Sequence, residues 1–141
     1  MSLEDVRSEL GTLLSAVTGL KKVYYESPTI VDTTPSVAVL LRPGSEEYDT
    51  TCTNSMNIAF ALRVMVEKKD DSDNGLAQTT LLLQLIDDIL DKVRLKSNTT
   101  LNGDAYSVLG EWGEIAVGDA GNMPVYYSDV LVNAKTLKSI V

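Results

Sequence analysis

The stretch Met56–Lys69, MNIAFALRVMVEKK, decides the fold. Its even positions from Met56 to Val66 are all apolar: Met56, Ile58, Phe60, Leu62, Val64 and Val66. The odd positions are Asn57, Ala59, Ala61, Arg63, Met65 and Glu67. Successive side chains of a strand point to opposite faces, so this period of two predicts a long β-strand with one face in a core and one mixed face. Such a strand belongs at the centre of a twisted sheet.

Upstream, Pro35–Arg42 (PSVAVLLR) reads as a second strand. Val37, Val39 and Leu41 form one face, and Ala38 and Leu40 make the other apolar too, so the strand is expected to be central or covered on both sides. Pro43-Gly44 ends it. Ser45–Ser55 (SEEYDTTCTNS) is polar, acidic and longer than the roughly two to five residues of most hairpin loops. It is either a loose hairpin tip or a binding loop, with Glu46, Glu47, Tyr48 and Asp49 as the candidate partner or subunit contacts. Lys22–Glu26 is a short edge strand that sends Tyr24 and Tyr25 to opposite faces; Ser27-Pro28 breaks it, and Thr29–Thr34 is a connector.

Two helices flank this strand region. In Ser2–Thr18, Leu3, Val6, Leu10, Leu13, Leu14 and Val17 follow three-four spacing, Ser2 suits the N-cap and Gly19 the stop. Gly11 lies inside and weakens this helix by about 1 kcal/mol relative to Ala. Asp70–Gly75 (DDSDNG) has the look of a calcium loop, but counting from Asp70 the twelfth position is Leu81, where a bidentate Glu is needed. It reads as a turn in which Asp73 or Asn74 caps the helix Leu76–Leu95. On that helix Leu76, Leu82, Leu83, Ile86, Ile89, Leu90 and Val93 form the core stripe. Leu81 and Leu85 fall off it, which leaves two readings: a subunit contact, or a broad buried arc under a large sheet.

Ser97–Asp104 is a loop, and its Asn98-Thr99-Thr100 acceptor pattern has no consequence without a secretory signal. Tyr106–Val117 and Val125–Ala134 read as the last two strands, joined through Gly118–Pro124. In the first, the apolar parity switches near Gly110 and Gly113, which predicts a bulge or bend, with Trp112 as a packing anchor. Lys135–Val141 is a terminus that is tied down or reaches a neighbour. The order α-β-β-β-α-β-β predicts a single α+β domain over residues 1–141: a mainly antiparallel five-stranded sheet with two helices packed on one face.

A chain of 141 residues fits one domain. Its net charge of −8 leaves no basic surplus with which to grip nucleic-acid phosphates. Acidity serves solubility, or forms a wall that DNA slides past. No apolar run reaches the roughly 18 residues of a membrane span, and the acidic start MSLEDVRSEL is unlike a signal peptide. Cys52 is alone, so no intramolecular disulfide is expected and the protein reads as made in the cytosol.

Histidine is absent, which removes the commonest general base and neutral metal ligand. Ser-His and Cys-His arrangements and zinc sets cannot form within the chain, and no phosphate-loop pattern occurs. Asp87 and Asp91 share a helix face but read as solvated acids. No catalytic residue, cofactor or metal ligand is expected, and the chain reads as a non-enzyme.

The layout resembles the tail terminator family of long-tailed bacteriophages, the lambda-type minor tail proteins. The likeness lies in an N-terminal helix and short strand, the Pro-small-apolar strand entry Pro35–Leu41, and the long alternating strand Met56–Glu67. An amphipathic helix and a closing strand pair with the Tyr-rich strand Val125–Ala134 complete it. The resemblance implies a virion protein, assembled in the host cytoplasm and placed at the head-proximal end of the tail. It implies a homo-hexameric ring that caps the tail tube protein, ends tube growth and presents a surface to the head-tail connector, while DNA passes through without specific binding. In that reading the loop of Glu46, Glu47, Tyr48 and Asp49 projects toward tube or neck, and Leu81 and Leu85 line a subunit contact. A head-completion or neck protein of the connector and a non-phage bacterial adaptor domain are the alternatives.

Overall fold

Phe60 and Leu62 are buried at the centre of the protein, as their alternation requires. They lie on a strand of Thr53–Glu67 in a computed structural model that describes residues 3–26, 28, 31, 33–48, 53–68, 75–94, 107–121 and 123–139. The elements in chain order are α1 (Leu3–Ser15), β1 (Lys22–Tyr24), β2 (Ser36–Tyr48), β3 (Thr53–Glu67), α2 (Leu76–Arg94), β4 (Ser107–Trp112), β5 (Ala116–Ala120) and β6 (Met123–Ser139). One mixed sheet has the order β1-β2-β3-β6-β4, with β5 also paired to β6. The central position of β3 follows from its partners: it pairs antiparallel with β6 over its whole length and with β2 on the other side.

Both helices pack on one face of this sheet. Val6, Leu10, Leu13 and Leu14 of α1 and Leu82, Leu85, Ile86, Ile89, Leu90 and Val93 of α2 meet Val37 and Val39, the even residues Ile58 to Val66, and Val130, Val132 and Ala134. Burial of this apolar stripe and sheet face is what holds the layers together. Among the described residues the opposite face is covered at one end only. There Val31, from the connector after β1, covers Ala38, Met65 and Val125, with Tyr24, Leu40, Met123 and Tyr127 at the margin.

The α+β class, the mainly antiparallel sheet and the helices on one face hold; the strand count is corrected from five to six, with β1 parallel to β2. β1 runs parallel to β2 (Val23↔Val37) because the connector between them crosses over the open face instead of turning as a hairpin. The expected strand Tyr106–Val117 is two strands, β4 and β5. Gly113 N–H donates to the Asp129 carbonyl at 3.0 Å, and Ser128 Oγ donates to the Gly113 carbonyl at 3.0 Å. These bonds pull the chain onto β6 at Gly113 and end one ladder before the next begins, which accounts for the parity switch.

The expected loop Ser45–Ser55 is mostly strand. Ser45–Tyr48 continues β2 after a bulge between Arg42 and Ser45, and Thr53–Ser55 opens β3. Gly44 sits in that bulge so close to the Asn57 carbonyl that a side chain there would meet backbone. Likewise Lys135–Ser139 is not a tail but the end of β6, paired with Asn57–Thr53 of β3. Past the bulge, β2, β3 and β6 therefore continue as a three-stranded arm. Cys52, Asp49, the Asp70–Asn74 turn, the Ser97–Asp104 loop and Ile140-Val141 lie outside the described residues, as does the Ser2 cap. α1 ends at Ser15 rather than Thr18; Gly19 follows at φ 99°, the left-handed geometry expected of the stop. No helix among the described residues is long and apolar enough to cross a membrane.

Candidate assembly surfaces

Among the described residues the sheet has two free edges of unlike character. On one side β1 covers β2 only from Ser36 to Ala38, so the outer edge of β2 is unpaired from Val39 onward among the described residues. Leu41 shares the helix-side face with its partner Phe60, yet it is 58 % exposed. With Leu3, Met56, Ile58, Arg42 and Glu46 it lines a shallow, mainly apolar groove of about 360 Å³.

On the other side β4 is the outermost strand. Trp112 faces the helix side, opposite Val130, and is 66 % exposed. Leu83, Ile86, Asp87 and Leu90 of α2 stand beside it, with Gly113, around a groove of about 280 Å³. Leu83 is 53 % exposed. α2 comes this close to β4 because Gly110 has no side chain: a Cβ there would sit 3.0 Å from Leu90 Cδ2. Trp112 is thus not the packing anchor expected. The backbone closeness that Gly110 provides serves Leu90, and the indole stays outside.

The candidate residues from the sequence divide between these regions. Glu46 lies on the β2 arm, exposed, at the rim of the Leu41 groove. Glu47 and Tyr48 follow on the same strand, opposite Ser55 and Asn54, with only their backbone described; Asp49 lies outside the described residues. Leu81 and Leu85 are not an outer patch. Leu85 is buried in the main core and Leu81 packs against it, so the broad-arc reading accounts for both. Leu76 and Leu83, placed in the core stripe by spacing, are the exposed leucines of α2. Leucine occurs almost all round this helix, so the spacing alone does not fix which side turns inward.

The open face carries a polar cluster that spacing did not reveal. Arg63 and Asp129 are cross-strand partners, and the guanidinium lies 4.8 Å from the Tyr127 ring centroid. Its hydrogen bond to Asp129 raises the Arg63 pKa, partial burial opposes this, and the Asp129 charge adds to the rise. A cavity of about 300 Å³ beside it is lined by Pro28, Ala38, Leu40, Met65, Val125 and Tyr127. A further cavity of about 410 Å³ lies between Lys21, Pro35, Glu67, Gln78 and Leu81. Gln78 Oε1 and Ser36 Oγ are buried without a hydrogen-bond partner among the described residues. No group of three or more metal-ligating side chains occurs among the described residues.

What the chain presents is therefore an edge with an exposed Trp and acids (Glu111, Glu114, Asp87) and an opposite edge with an exposed Leu beside Arg42. Apolar groups on free strand edges invite association. No known protein-family model matches the chain, and no curated protein is found similar to it.

Proposed function

We propose that this chain is a structural, non-catalytic subunit that joins head to tail into a closed ring. We further propose that the ring caps the tail tube of a long-tailed phage, ends its growth and offers the head-tail connector a surface. A homo-hexamer is the ring order that the family resemblance implies. The observation that carries the ring is the pair of unlike apolar edges at Trp112 and Leu41. A two-fold dimer buries the same patch on both partners, whereas two different patches on opposite sides suit a repeating head-to-tail contact that closes. The placement in a phage tail rests on the resemblance in layout.

Several features agree with this role. The β2–β3–β6 arm continues past the bulge at Arg42/Ser45, and in this reading its end is the surface turned toward tube or neck. If sheets join edge to edge, the helices lie on one side of the ring wall and the open face on the other. On that open face Asp129 neutralises Arg63, which suits a wall along which DNA passes without being held. The test is assembly in vitro: purified protein added to polymerising tail tube protein should fix tube length and bind tube ends in negative-stain images. Tubes that grow unchecked, with the protein bound to connector alone, would move it to the neck.

A further inference from the structure

We infer that β4 of one subunit adds to the free edge of β2 in the next, antiparallel, with Trp112 opposite Leu41 and Glu111 opposite Arg42. The inference rests on the ring reading and names its seam.

Strand direction comes first. β3 is antiparallel to β2, β6 to β3 and β4 to β6, so β4 runs opposite to β2. A second copy set beside β4 in the same orientation therefore offers its β2 as an antiparallel neighbour, with its helices on the same side. A head-to-tail ring repeats that one contact at every seam.

Faces come next. Trp112 shares a face with Val130, and Leu41 shares one with Phe60; both are on the helix side. Glu111 pairs with Leu131, and Arg42 with Ala59; both are on the open side. Because strands alternate, placing Trp112 on Leu41 also places Glu111 on Arg42. One register thus joins the two exposed apolar residues and also two opposite charges.

Neighbouring registers fail. A shift of one residue turns Trp112 against Arg42 or Leu40 on the wrong face. A shift toward the start of β2 brings Trp112 to Val39, which is 1 % exposed and has nothing left to cover, and drives the following chain into β1 at Ala38. A shift the other way sets Trp112 on Pro43 and Glu111 on Gly44 and leaves Leu41 and Arg42 opposite Glu114 and Gly113, so both the apolar and the charge pairing are lost. Leu83 then extends the apolar seam from α2 on one side, and Leu3 from α1 on the other.

The experiment reverses the charges and also traps the register. R42E and E111R should each weaken self-association roughly tenfold, and the double variant R42E/E111R should restore it. In a C52S background, R42C/E111C should give a ladder of disulfide-linked oligomers on a non-reducing gel. Cross-strand Cα atoms are about 4.5–5.5 Å apart, inside disulfide range. Within one subunit these residues are separated by β3 and β6, roughly 14 Å, so a ladder reports contacts between subunits. Both positions are exposed, and thermal melts check that the variants fold. If the wild-type protein stays monomeric, the ring reading itself fails. If it assembles but the single variants match it and no ladder forms, the ring stands and this seam is overturned.

Discussion

Arg63 on β3 and Asp129 on β6 face each other across the open side of the sheet and form a two-pronged ion pair. Nε donates to Oδ1 at 2.9 Å and Nη2 donates to Oδ2 at 3.2 Å. Their side chains are 38 % and 35 % exposed, so water still screens the pair. The geometry fits a fork that only a guanidinium supplies, and the Tyr127 ring centroid lies 4.8 Å from the guanidinium carbon.

Asp129→Asn should therefore lower stability by about 0.5–1 kcal/mol, less in high salt. Arg63→Lys should not fully replace Arg63, since an ammonium cannot make both bonds. Chemical denaturation at two salt concentrations reads both. The raised pKa of Arg63 means that the charged form is favoured in the folded state. Its contribution is fully present below the ordinary guanidinium range and disappears only in strong base. A loss of stability between neutral pH and mild alkali that depends on Arg63 would contradict this assignment.

The core should respond far more strongly than this surface pair. Phe60 and Leu62 are fully enclosed by both helices and β6. Phe60→Ala should cost about 3–5 kcal/mol and Leu62→Ala about 2–5 kcal/mol, as for other large-to-small core changes. Urea unfolding measures this; a change below about 1 kcal/mol at either site would mean that β3 is not the central strand.

Two leucines of α2 provide a sharper contrast. Leu85→Ala should destabilise the subunit by about 2–5 kcal/mol, because Leu85 is 2 % exposed. Leu83→Ser should leave subunit stability within about 0.5 kcal/mol but weaken self-association. Melting temperature and oligomer mass, measured on the same samples, separate the two effects. Equal behaviour of the two variants would show that the helix face has been misassigned.

Gly44→Ala should destabilise the hairpin arm, because the new methyl would meet the Asn57 carbonyl, which is backbone and cannot rotate away. The expected loss is about 1–3 kcal/mol, the range for overpacking. Hydrogen exchange should speed up first in Ser45–Tyr48 and Asn54–Asn57, leaving the centre of β3 protected. Uniform loosening of the sheet would argue against a local bulge.

Much of this architecture is legible in the sequence where periodicity is strict. The even residues of β3 face the helices from Ile58 to Val66, and Val130, Val132 and Ala134 do the same on β6. Legibility falls where side chains are apolar on every side. The leucines of α2 fit more than one rotation, and only contact with β3, β6 and β4 selects the one that buries Leu85 and exposes Leu83. Polar composition also misled: Ser45–Tyr48 looks like a loop but is paired strand, because backbone bonds to β3 do not depend on side-chain polarity. Trp112 invited a packing assignment by its place between Gly110 and Gly113, which let other backbone pack close. Its neighbours Glu111 and Glu114 were the available signal that this segment lies at an edge.

The most direct test of the central claim is native mass spectrometry of the wild-type protein across a concentration series. A closed head-to-tail ring should give one discrete oligomer, an integer multiple of the subunit mass, that the Trp112→Ala and Leu41→Ser variants each dissociate toward monomer. A single monomer species at every concentration, or a two-fold dimer indifferent to both substitutions, would contradict it.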